Sequence, residues 1–193
     1  MASQPLLRRL VLAVVSVVAL TVPVVLGSSA SAGAAAPMTW NVRVGGETPD
    51  MAVSAMGFLP SNVWVDAGDT VSWTSNSAEP HTVTFLAPGT ALPDFNPFDP
   101  SQTTAQGSSL YDGTAYANSG IMATQPIFIF TNPAATYHLT FTTTGDFTYY
   151  CLVHVAMMTG TVHVRPAGTA YPYTQQDYNR MGNQQAQAAL ATG

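Results

Sequence analysis

Lysine is absent from this chain, and only 8% of its 193 residues carry charge. Five arginines stand against ten acidic residues, a formal net charge of −5. That balance excludes nucleic acid as a partner, because phosphate binding draws on clustered Lys and Arg. Cysteine occurs once, at Cys151. A single thiol excludes an intramolecular disulfide framework, an all-cysteine zinc site and Cys-x-x-Cys-His haem attachment. The scarcity of charge does not mean disorder, because 47% of the residues are hydrophobic and 10% aromatic. Internal repeats are also lacking.

The start of the chain has the order of a secretory signal. Arg8 and Arg9 precede a 17-residue apolar run, Leu10 to Leu26, which Pro23 interrupts. Small residues follow, and Ala30-Ser31-Ala32 fits a cleavage site. The expectation is a signal peptide over 1–32, removed after Ala32, rather than an uncleaved membrane anchor. Its removal takes away two Arg and no acid, leaving three Arg against ten acids and a net charge of −7. The mature protein is then secreted or periplasmic, and it does not span a membrane. An unpaired cysteine in an oxidising compartment must be buried or ligating.

Residues 33–37 read as a linker, and 38–167 as one domain of strands. Val-, Thr- and aromatic-rich runs lie at Thr39–Val44, Ala52–Phe58, Asn62–Val65, Thr70–Ser75, His81–Leu86, Ile127–Phe130, Thr136–Thr142, Asp146–Tyr150 and Thr161–Val164. Val71 and Trp73 alternate with Ser72 and Thr74, and Tyr137, Leu139 and Phe141 alternate with His138, Thr140 and Thr142. Period-two alternation puts one face in a core and one outside. Turn signals at Ala67-Gly68-Asp69 and Thr144-Gly145-Asp146 separate the runs. The expected fold is all-β, a Greek-key β-sandwich of about eight strands.

Two segments break this pattern. Residues 87–126 hold five Pro and four Gly, and read as a long loop insert, a surface excursion in preference to a flap. Residues 168–193 form a C-terminal tail. Thr174 and Asp177 have capping-box spacing there, but the following run shows little apolar periodicity. It reads as a marginal helix or a disordered tail.

Chemistry concentrates near the end of the domain. Cys151 closes the run Phe147-Thr148-Tyr149-Tyr150, His154 follows, then Met157, Met158 and the final strand. Thiolate, imidazole and thioether thus share one short loop. Two His, one Cys and a weak axial Met make the blue-copper donor set. The second histidine must come from elsewhere, and His81, opening a strand after Asn76-Ser77-Ala78-Glu79-Pro80, is the candidate. His138 and His163 lie on strands and read as structural, and Trp40, Trp64 and Trp73 as packing aromatics. Met51, Met56 and Met122 are scattered and form no Met-rich tract.

With these residues in place, the sequence resembles the cupredoxins, in particular small plastocyanin- and amicyanin-like blue copper proteins, over roughly residues 51–165. The parts that carry the resemblance are Phe58-Leu59-Pro60, the Val65–Trp73 strand pair, Pro80-His81-Thr82-Val83, Gly145 through His154, and Met158-Thr159-Gly160-Thr161-Val162. It implies an eight-stranded sandwich, one type 1 copper and one-electron transfer, with His81, Cys151, His154 and a Met as ligands. His-x-x-Met spacing points to Met157 as the axial ligand. The continuation into the last strand points to Met158, which is the expectation here because strand pairing fixes register. Thr82 stands where many members carry Asn, and its backbone amide remains able to donate to the Cys151 sulfur.

The expected function is a secreted, non-enzymatic copper protein that passes single electrons between transient redox partners as a monomer. The competing reading is an extracytoplasmic copper carrier or chaperone on the same fold. An enzyme with a second copper centre would need more than the four histidines present. A hydrolase built on Cys151 and His154 is disfavoured by their spacing within one loop, which suits chelation. His154 is the expected electron port, with Leu152, Val153, Val155 and Ala156 as an apolar rim.

Overall fold

The computed structural model describes residues 36–155 and 157–192. The signal segment 1–32 and most of the linker lie outside the described residues, as does Ala156 of the expected rim. No described helix is long and apolar enough to cross a membrane.

Two sheets face each other across an aromatic core. The first runs in the order β2 (Ser54–Leu59), β1 (Thr39–Glu47), β4 (Thr70–Ser75), β9 (Thr136–Phe141), β7 (Leu110–Tyr111). The second runs β3 (Asn62–Asp66), β11 (Thr159–Arg165), β10 (Gly145–Tyr150), β5 (Thr84–Phe85), β8 (Ala117–Ser119), β6 (Ala105–Gln106). The all-β sandwich expected from the alternation is therefore present. Trp40, Val42 and Val44 of β1, and Gly160, Val162 and Val164 of β11, turn inward at every second position. Trp73 is fully buried and meets Phe85 and Tyr149 edge-on at centroid distances of 5.8 and 5.3 Å, an arrangement worth a further increment beyond area burial.

Two expected strands are corrected. The run His81–Leu86 contributes only Thr84–Phe85 as ladder, while His81 makes an isolated bridge to Met122. Ile127–Phe130 is a tight turn, closed by reciprocal bonds of 3.0 and 2.9 Å between the backbones of Ile127 and Phe130. Phe128 there has φ of 51° and is 89% exposed. Its apolar composition imitated a strand, but the reciprocal bonds spend the backbone groups within the turn.

The insert is woven into both sheets rather than laid over the surface. It supplies β6, β7, β8 and a short helix, α1 (Pro100–Thr103), capped by Asp99. β8 pairs with β5, and β7 with β9. The C-terminal segment forms α2 (Gln175–Leu190), opened by a capping box between Thr174 and Asp177. Few apolar residues are needed, because Tyr178 and Gly182 make the closest approach and Gln175, Asn183 and Gln185 add polar bonds to Asn41, Arg43 and Ser61. Tyr178 is fully buried, accepting from Trp64 N–H at 2.7 Å and donating to Trp64 O at 3.0 Å. At Gly182 a Cβ would lie 2.8 Å from the backbone of Leu59, so the helix packs directly against the end of β2.

Candidate metal centre

His81 is positioned by the insert. Its N–H donates to Met122 O at 2.9 Å and its carbonyl accepts from Met122 N–H at 2.8 Å. The ring is 1% exposed. Nε2 lies 2.9 Å from Ser77 Oγ, which fixes the ring and leaves Nδ1 facing Cys151. Space for that pairing comes from Gly45, at a slip in the β1–β2 register with φ of +73°. A Cβ at this position would collide with Ser77 Oγ and sit 2.5 Å from His81 Nε2.

Cys151 follows directly on β10 and is fully buried. Its Sγ accepts from Thr82 N–H at 3.4 Å. The Thr82 hydroxyl accepts from Leu152 N–H at 2.8 Å and meets Thr84 Oγ1 at 2.9 Å. Thr84 donates to Asn118 Oδ1 at 3.0 Å, and Asn118 Nδ2 donates to the carbonyls of Ser101 and Gln102. A continuous chain of hydrogen bonds thus runs from the cysteine loop into the insert.

His154 lies in the turn after Cys151 and is half-buried. The Met157 and Met158 amides both donate to its carbonyl, at 3.0 and 3.1 Å, and Cys151 N–H donates to Met158 O at 3.0 Å. The loop is closed at its neck. Cys151 Sγ stands 3.8 Å from His81 Nδ1 and 3.6 Å from His154 Nδ1. One potential ligand atom from each of the three residues falls within 4.8 Å of the others, a group able to hold a metal ion.

Burial sets the proton state. Desolvation, helped by the neighbouring His154, pushes His81 down to about 3. Desolvation also lowers His154, against the opposing pull of Glu79. Both imidazoles are therefore neutral at pH 7, with lone pairs free for a metal. Burial raises the Cys151 thiol, opposed by the Thr82 amide, so a metal must displace its proton.

Residues 47–165 match the family described as copper binding proteins, plastocyanin/azurin family. The chain belongs to that family. Similar solved structures include amicyanins. One is the Cu(I) form of a methionine-to-glutamine variant, 22% identical over 66% of this chain and 82% of that chain, with a TM-score of 0.41. Another is amicyanin from Paracoccus versutus, 21% identical over 66% of this chain and 81% of that chain, with a TM-score of 0.40.

Copper suits this family member's donor set, in which one soft sulfur and two neutral imidazoles converge. Met158 is fully buried at the neck of the loop, whereas Met157 is 68% exposed. His163 is held away from the centre, with Nδ1 2.7 Å from Asp146 Oδ1 and its ring stacked on Trp64 at 4.3 Å. His138 is exposed on β9. Leu152 is corrected as a rim residue, because it is fully buried behind the loop. Gly45, Ser77, Thr84 and Asn118 were missed by the sequence reading. Only Gly45-Gly46 carried a signal, since glycine inside a strand marks a bulge or a close approach.

Proposed function

We propose that this copper-binding protein is a type 1 electron carrier whose metal is held by His81, Cys151, His154 and Met158. The observation that carries the reading is the convergence of one ligand atom each from His81, Cys151 and His154 within 4.8 Å of one another. Bound copper would supply the one-electron Cu(I)/Cu(II) couple. Cys151 provides the soft thiolate, and the Thr82 N–H withdraws charge from that sulfur and tunes the potential. Ser77 and Gly45 hold the His81 ring, so its Nδ1 keeps one position through the redox change. Burial of Met158 beside the loop neck, against exposure of Met157, supports Met158 as the thioether ligand.

His154, half-buried where the other two are closed in, is the electron port. The partners are redox proteins that dock transiently, and the protein itself is a monomer without catalytic activity. Residues 1–32 act as a cleaved signal that sends it out of the cytoplasm.

Visible absorption and EPR of the protein from Gly33 with Cu(II), beside Cys151→Ser, test this. An intense blue band with narrow copper hyperfine splitting, at one equivalent and lost in the variant, is the expected result. Colourless Cu(I) binding without that band would assign copper carriage instead. Failure to bind copper in either state would refute both readings.

A further inference from the structure

The methionines that look scattered in the sequence are not all scattered in space. Met56, from edge strand β2, and Met157, from the loop that carries His154, line one groove of about 240 Å³. Ser61 and Thr159 flank it, and α2 closes its far wall with Gln185 and Ala189. The two adjacent methionines of the loop are thereby divided: Met158 is fully buried, while Met157 stands 68% exposed over the groove.

The donors lining the groove are selective. No carboxylate is among them, so a hard divalent cation has no charged oxygen to bind. Gln185 and Ser61 are already spent on one another: Gln185 Oε1 accepts from Ser61 N–H at 3.1 Å, and its amide donates to Ser61 Oγ at 3.2 Å. The side-chain donors that remain are the two thioethers and the Thr159 hydroxyl. Thioether sulfur selects Cu(I).

We propose that Met56 and Met157 form a second, surface copper site, specific for Cu(I), from which the metal passes to the buried centre. The proposal rests on the copper reading of His81, Cys151 and His154. Transfer is ligand exchange without electron movement. Cu(I) leaves the two thioether sulfurs and bonds to the Cys151 sulfur, and the thiol proton goes to solvent. Met157 and His154 are joined by a backbone bond of 3.0 Å, so the surface sulfur and the buried centre belong to one turn.

The test is a titration of the protein from Gly33, labelled with ¹³C at the methionine methyls, with Cu(I) supplied as its acetonitrile complex under anaerobic conditions. The first equivalent should move the methyl of Met158. The second should move those of Met56 and Met157, and Met56→Leu with Met157→Leu should reduce the stoichiometry from two to one. In that double variant the blue Cu(II) band should be unchanged, and filling of the buried centre from Cu(I) should slow at least tenfold. A wild-type stoichiometry of one, or a second equivalent that leaves both methyls unmoved, would overturn the proposal. Failure of the underlying copper reading shows separately, as loss of the first equivalent and of the blue band.

Discussion

Replacing Gly45 with alanine should weaken the copper site although no ligand is replaced. The backbone there has φ of +73°, a conformation that costs an L-residue about 1–2 kcal/mol. The added methyl also meets Ser77 Oγ and lies 2.5 Å from His81 Nε2, inside a pocket where His81 is 1% exposed. The ring must move, and its bond to Ser77 is lost, which costs about 1 kcal/mol more. A total of about 2–3 kcal/mol is expected in urea unfolding of the copper-free protein. Disturbing a partner that orients a ligand typically lowers metal affinity about 10–100-fold. Competition for Cu(I) against a chromophoric chelator measures that loss. Gly46→Ala is the control, because the atoms nearest its Cβ, on Ala55, Leu59 and Asn76, would lie at 3.5–3.8 Å, ordinary contact distance. If both variants lose the same stability and keep full copper affinity, the assignment of Gly45 as the space for His81 is wrong.

Met158→Leu should shift the blue spectrum and the reduction potential while costing under about 1.5 kcal/mol of stability, as a volume-conserving swap; Met157→Leu should leave both spectrum and potential unchanged, and the reverse pattern would make Met157 the ligand. Tyr178→Phe removes a hydroxyl that both accepts from and donates to the Trp64 backbone, so thermal unfolding should show a loss of about 1–3 kcal/mol with the copper spectrum intact. Stability of the copper-free protein should fall in acid. His81 titrates at about 3 when folded, against 6.5 for the ordinary group, so the unfolded chain binds the extra proton between those values. The stabilisation is complete above pH 6.5 and is lost as pH falls toward 3, with a slope of up to about 1.4 kcal/mol per pH unit for this one histidine. Urea titrations at stepped pH measure it, and a slope no smaller in His81→Asn would refute the assignment.

The strands that face a core were legible because alternation is a direct image of one-sided burial. Val71 with Trp73 read correctly for that reason, as did Leu139 with Phe141. The loop from Cys151 to Met158 was legible because three soft or nitrogen donors lie close in sequence. What failed was backbone pairing, local or distant, that composition does not encode. Ile127–Phe130 has a strand's composition, yet no sequence rule says that its backbone bonds close on themselves. Residues 87–126 have a loop's composition, yet β8 pairs with β5, because strands as short as two or three residues leave no periodicity to detect. Likewise α2 lacks an apolar stripe. Its docking combines Tyr178, which fills a core position, Gly182, whose missing side chain admits the backbone of Leu59, and polar bonds from Gln175, Asn183 and Gln185.

The insert also bears on how the centre resists rearrangement. A carrier gains from ligands that stay put when charge changes, and a loop held only by its own turn would not supply that. Here the Cys151 loop is tied through Leu152 to Thr82, from Thr82 to Thr84, and from Thr84 to Asn118. Asn118 is itself anchored to the carbonyls of Ser101 and Gln102 in α1. Thr82, Thr84 and Asn118 are all fully buried, so water does not compete for these bonds, and breaking one would leave an unpaired polar group in the interior. His81 is tied to the same segment through both backbone bonds to Met122. The two histidine-bearing and cysteine-bearing segments are therefore braced against a common support, residues 118–122, that the compact sandwich alone would lack. The Pro- and Gly-rich composition that made this stretch read as a surface loop serves the sharp reversals that bring β8 back beside β5. Gly120, with φ of +67°, lies so close to the Thr104–Ala105 backbone that a Cβ would not fit.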